Sequence, residues 1–155
     1  MQREGGRTAI EYLTPRGAVR TVSVYSEEMK KAGISIPWIA EHAIKKREDY
    51  DVVACLFENV DLVPHYEEFE RLQREVGEDG VMTAYFTGCP SPIHHIQKQF
   101  LDATEFYFHY KDYEKEMRRL AESMEPLYDK ALQLTAASLS LYSPATHSVH
   151  ADMPT

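Results

Sequence analysis

The 155-residue chain is poor in several things, and each scarcity removes a class of function. Two cysteines, Cys55 and Cys89, are too few for a disulfide framework, and no secretory apolar leader opens the sequence; both features point to a reducing, cytoplasmic setting. No apolar run approaches the roughly 18 residues of a membrane span, so no membrane role is expected. Cations are outnumbered: 17 Lys and Arg lie interleaved with 25 Asp and Glu, for a formal net charge of −8. The clustered positive charge that phosphate backbones require is missing, and nucleic acid is not an expected partner. There is no nucleophile elbow, P-loop, dinucleotide glycine fingerprint or HExxH, and the acidic runs 67-EE-68 and 114-EKE-116 read as solvated faces. No internal repeat is visible.

What is present suffices for one domain. A hydrophobic content of 43% over this length builds one core and is too short for two. The expected body is 1–137, followed by an irregular tail, 138–155, in which Ser, Thr, Pro and His mix without a sustained period.

Within the body, β-branched and aromatic runs at 8–13 and 18–25 flank 14-TPRG-17, in which Pro15 presets φ and Gly17 permits a positive φ, so a β-hairpin is expected. Pro37 interrupts regular structure in 33-GISIPW-38. The pattern then turns helical, with Tyr50, Val53, Ala54 and Phe57 at i, i+3, i+4 and i+7. A second helix carries Tyr66, Phe69, Leu72 and Val76 on one stripe and ends at Gly77, where a left-handed cap is wanted. Residues 81–86 are strand-prone and apolar on both faces, as a buried parallel strand is.

Ser91 and Pro92 form an N-cap and N1 pair, so 92–101 is expected to be a helix with Ile93, Ile96 and Phe100 facing inward. Asp102 with Glu105 opens a short aromatic helix. From Asp112 a long helix follows, its stripe running Met117, Leu120, Ala121, Met124, Leu127, Tyr128, Ala131 and Leu134, with a kink expected at Pro126.

The chemistry-bearing stretch is 81-VMTAYFTGCPSPIHHIQKQF-100, with Cys89, His94 and His95 close together. A metal site needs about three converging ligands, yet adjacent helical histidines point about 100° apart and do not readily share one ion. Cys89 precedes a helix N-terminus, which could lower its thiol pKa, but a buried or loop cysteine with no chemistry is far commoner. The pocket reading takes Tyr85, Phe86, Thr87, His94, His95 and Lys98 as one wall of a substrate site, against a plain solvated helix face for Lys98. Elsewhere, His42 and His65 read as loop residues, His109 as part of an aromatic cluster, and His147 and His150 as tail residues.

The order of 33-GISIPW-38, Glu41-His42 with Ile44-Lys45, 48-EDYDVVACLFEN-59, 64-PHYEEFERLQREVGEDG-80, Ser91-Pro92 and 100-FLDATEFYFHYKDYEKEMRRLAE-122 resembles the uroporphyrinogen decarboxylase superfamily. Within it, the chain is similar to the branch that includes relatives of the cobalamin-dependent methyltransferases. The likeness runs over 8–136 and rests on many moderate matches in order.

The resemblance implies an α/β fold: an incomplete (β/α)8 TIM-barrel-like fragment with an N-terminal β-hairpin and a helix-rich middle, since a whole barrel takes about 250 residues. It implies a methyltransferase or a carboxy-lyase, acting on a methyl group carried by a corrinoid protein or on a tetrapyrrole. Zinc and a corrinoid are the cofactors of complete relatives, but the His-x-Cys and distant Cys that bind zinc in the methyltransferases have no counterpart here. Aligned on Pro92, Lys98 stands where decarboxylases carry a substrate-contacting tyrosine, a departure from porphyrinogen decarboxylation. Ser143-Pro144-Ala145 and the terminal 152-DMPT-155 are faint echoes of later family segments, so a truncated, altered or fragmentary reading frame is expected. The competing expectation is an inactive barrel fragment that self-associates to cover open strand edges and apolar faces.

Overall fold

A computed structural model describes residues 1–80 and 89–140. Its sheet is an antiparallel meander in the order β1 (Gln2–Glu4), β2 (Arg7–Thr14), β3 (Gly17–Val24) and β4 (Trp38–Glu41). The expected hairpin is β2–β3, joined by Pro15-Arg16 with Thr14 opposite Gly17. Thr14 Oγ1 accepts from the Arg16 N–H at 3.1 Å and donates to the Gly17 carbonyl at 3.1 Å, and Gly17 takes a φ of 136°. The strand β1, unforeseen, is added by a second two-residue turn, Gly5-Gly6, whose φ values of 52° and 79° match a primed turn. The other unforeseen strand, β4, begins one residue after Pro37, and its register against β3 shifts between Val22 and Ser23.

Six helices complete the described structure: α1 (Glu27–Lys31), α2 (Asp49–Glu58), α3 (Tyr66–Val76), α4 (Pro92–His95), α5 (Ala103–Asp112) and α6 (Glu114–Ser140). The helix α2 touches both β3 and α6 and is the centre of the packing. Val53 and Ala54 are fully buried there, and Val52 lies against the hairpin turn, 3.1 Å from where a Cβ on Gly17 would stand. Arg16 reinforces that contact with a two-pronged ion pair to Glu58 at 3.1 and 2.6 Å; both side chains are exposed, so solvent screening leaves it a minor contribution.

The stripe on α6 is as expected: Met117, Leu120, Met124, Tyr128 and Ala131 are buried, and Ala121, Leu127 and Leu134 are half-buried. The helix continues through Pro126, which is exposed, and extends to Ser140, three residues beyond the expected body. The α3 stripe is only half-buried; its Tyr66 hydroxyl donates to the Leu134 carbonyl at 3.0 Å, and Gly77 closes the helix with a φ of 55°. Both predicted caps form. Ser91 Oγ accepts from the His94 N–H, and Asp102 Oδ1 accepts from the N–H groups of Thr104 and Glu105 at 2.7 and 2.9 Å.

The fold is therefore mixed α/β with the expected hairpin and helix-rich middle. All four described strands pair antiparallel, whereas barrel strands run parallel; the expected parallel strand 81–86 and the tail from 141 lie outside the described residues. Among the described residues no helix is long and apolar enough to cross a membrane.

Candidate functional site

The segment after Ser91 departs from the predicted helix in a way that builds a site. The helix α4 makes one turn, and 96–100 continues as a π-turn, closed by a hydrogen bond from the Leu101 N–H to the Ile96 carbonyl at 3.1 Å. At 100° per residue an α-helix holds positions i and i+5 about 140° apart. The wider π-turn brings them together, and His95 stacks on Phe100 with ring centroids 5.1 Å apart and planes 15° from parallel. Such turns inside helices are frequent at functional sites. Ile96 and Leu101 are thereby driven into the core, while Ile93, expected inside, is 41% exposed.

Between this segment, α2 and the sheet runs a groove of about 540 Å³, within the range of small-molecule sites. Its sheet wall follows from register. Ile10 pairs with Thr21 and Tyr12 with Val19, so these four share the face turned toward the helices. Ile39 extends the wall onto β4, and Val53 and Phe57 of α2 form the floor. Ile10, Thr21, Ile39, Phe57 and Phe100 stay only half-buried because the groove lies in front of them. The polar groups on the helical side are the His95 imidazole and the Gln99 amide.

His95 is held from behind. Its Nδ1 lies 3.1 Å from the Tyr128 hydroxyl, which donates to the Ser91 carbonyl at 3.3 Å. Phe57 meets the ring edge-on at 5.8 Å. Burial, with smaller contributions from His94 and Lys98, holds the imidazole below the usual histidine range, so it is neutral near pH 7.

Of the six residues expected to form one wall, His95 lines this groove. His94 and Lys98 lie on the same segment outside its lining, Lys98 exposed and His94 half-buried, while Tyr85, Phe86 and Thr87 fall outside the described residues. Sequence reasoning missed the sheet wall, Gln99 and the Tyr128 partner. The alternation of Ile10, Tyr12, Val19 and Thr21 carried the signal for the first. Nothing local announced a tyrosine 33 residues from His95.

A second cleft, of about 420 Å³, opens between α2 and α6. Its cations are matched by acids, with Arg47 paired to Glu116 and Arg119 to Asp51, which leaves little field for a charged ligand. Tyr50 lines it and shares a buried hydrogen bond with His109, whose ring packs on Tyr50 and Tyr113, whereas Tyr107, Phe108 and Tyr110, the aromatic cluster expected around it, are exposed.

Among the described residues no three His, Cys, Asp or Glu side chains converge to hold a metal ion, so they provide no zinc donor set. Cys55 and Cys89 are both buried and are not joined by a disulfide. No protein-family model, curated protein or solved structure matches the chain.

Proposed function

We propose that the chain is part of a uroporphyrinogen decarboxylase-like enzyme and that the groove at His95 is its wall of a site for a flat, largely apolar, tetrapyrrole-class ligand. The observation that carries this reading is the groove itself: about 540 Å³, lined mainly by apolar side chains, with the hydroxyl-bearing Tyr12, Thr21 and Ser23 among those on the sheet side and one imidazole and one amide on the helical side. Ligand sites have this composition, in which apolar walls supply affinity and a few placed polar groups fix orientation. Lys98, in place of a tyrosine, inclines the reading from decarboxylation toward methyl transfer, with a corrinoid protein as partner. The incomplete barrel belongs to the same proposal and rests on the sequence resemblance, which gives zinc to complete relatives and not to the residues of this chain.

Thermal melts with a metal-free coproporphyrin, cobalamin and zinc test the site. A ligand that binds only the folded chain raises the melting temperature, by about 2.7 kcal/mol of added stability at a hundredfold excess over Kd. The tetrapyrrole is expected to do so, and Thr21→Trp, which fills the groove from the sheet side, to abolish the effect. A cooperative melt unmoved by all three ligands refutes the reading.

One observation favours a second role. The strand β4 is an outer strand of the described sheet, and Trp38 on it is 64% exposed beside Ile36 at 73%. An apolar edge of this kind invites pairing with a second copy. Light scattering after size exclusion decides: a dimer dissociated by Trp38→Lys supports self-association, and a monomer at all concentrations rejects it.

A further inference from the structure

Asp, Glu, Lys and Arg make up 27% of the sequence, yet among the described residues that line the groove none carries a formal charge. The second cleft, between α2 and α6, is lined by six such residues. Cations close to the groove in sequence are held outside it. Arg20 stands between Val19 and Thr21 on β3, so the alternation of a strand turns its side chain to the opposite face, and it pairs with Glu41. Lys45 pairs with Glu41 as well, and Lys98 is exposed and outside the lining.

The polar groups that do line the groove are neutral and uncommitted. On the sheet side, Thr21 and Ser23 lie two positions apart on β3, and Tyr12 stands opposite Val19 on β2. Gln99 faces them from the helical side. The side chains of these four make no hydrogen bond with any described residue. Three hydroxyls and one amide therefore keep their donors and acceptors for a ligand. His95, kept below the usual histidine range chiefly by burial, is uncharged near pH 7 whichever nitrogen holds its proton.

A carboxylate drawn into such a wall gives up its water without meeting a cation, and the net charge of −8 opposes its approach. An amide, carbonyl or hydroxyl loses only hydrogen bonds that the four side chains can replace. We infer that the groove selects by charge: it takes an uncharged, largely apolar ring system whose rim carries amide or hydroxyl groups rather than acids, with Thr21, Ser23 and Gln99 as the specificity-determining residues. This rests on the groove being a ligand site and deepens that reading by fixing the charge class of what enters it. Acidic arms of a tetrapyrrole stay in solvent, and each one that must be drawn inside weakens binding.

Fluorescence titrations of the whole chain with coproporphyrin, a tetra-acid, and with its tetra-amide test the inference near neutral pH. The wild type is expected to bind the tetra-amide at least about tenfold more tightly, with the gap narrowing as salt screens the acid's repulsion. Thr21→Lys and Gln99→Lys each place a cation in the wall, from opposite sides, and should narrow or reverse the preference by strengthening the acid. A wild type that binds the acid as tightly as the amide overturns the selection and leaves the groove reading standing, as does a preference that neither lysine changes. If neither ligand binds, or if the amide binds Thr21→Trp undiminished, both readings fall. Should one lysine variant not fold, the other decides together with the wild-type comparison.

Discussion

The Tyr50 hydroxyl and His109 Nδ1 meet at 3.1 Å inside the protein, one on α2 and the other on α5. Both residues are buried, at 2% and 5% exposure, and Tyr113 packs edge-on against the imidazole at 5.0 Å. Burial pushes the Tyr50 phenol well above its ordinary value, so it remains a hydroxyl throughout the working pH range. Tyr50→Phe preserves the ring but leaves a buried imidazole nitrogen without its partner, at a cost of about 1–3 kcal/mol. Urea unfolding should show that loss as a lower midpoint with unchanged slope. A variant as stable as the wild type shows that water or a rearranged His109 replaces the bond.

Leu101 sits in the middle of the core. It follows the π-turn, is wholly buried, and belongs to the same apolar cluster as Val53, Ile96, Met117 and Met124. Leu101→Ala removes three carbons where three elements meet and is expected to cost about 2–5 kcal/mol. The same substitution at Leu132, 64% exposed on α6, should change stability by less than about 0.5 kcal/mol. Comparable losses at both sites are incompatible with the core described.

Periodic patterns were the most legible part of the sequence. The hairpin, α2, the α3 stripe, both N-caps and the α6 stripe were readable because period, cap chemistry and turn residues all lie within a few positions. The β1–β2 turn was readable too, in 5-GG-6, a dipeptide suited to a primed hairpin turn that went unused. The strand β4 was hidden behind Pro37, which marks the boundary of the strand rather than the absence of one. The site was legible only in part. Local chemistry singled out His95, which lines the groove, but the π-turn that turns it onto Phe100 has no sequence signature, and its Tyr128 partner is a tertiary fact. The Ile93 error has the same origin, since a strict 3.6-residue period was extended across a segment that does not keep it.

The Gly5-Gly6 turn predicts two different outcomes for neighbouring substitutions. A Cβ on Gly6 would stand 2.9 Å from the Tyr25 carbonyl oxygen, and the backbone there is left-handed with a φ of 79°. Gly6→Ala therefore meets both strain and a backbone clash, for a loss of at least about 1–2 kcal/mol or a detached β1. Gly5 has open space around its would-be Cβ and a φ of 52°, which asparagine adopts readily. Gly5→Asn should be nearly neutral. Amide hydrogen exchange across β1 and β2 reads both, and equal protection in the two variants contradicts the turn geometry.

Mild acid should weaken the fold through its histidines before its carboxylates respond. His95 is held below the ordinary value of 6.5 by burial, with His94 and Lys98 adding to it; burial also lowers His42, against an opposing pull from Asp102. A depressed value means that the unfolded chain takes up protons which the folded chain refuses. The stability these groups contribute is present above about pH 6.5 and is lost as pH falls toward their folded values. The lowered carboxylates of Glu41, Glu58 and Glu116, each hydrogen-bonded to Lys45, Arg16 or Arg47, follow the same sign but titrate below their ordinary 4.5. The interval from about pH 7 to about 5 therefore isolates the imidazoles. The melting temperature should decline across it, and His95→Gln, which cannot be protonated there, should flatten the decline. A slope unchanged in that variant places the acid sensitivity elsewhere and removes the evidence that His95 is kept neutral by its burial.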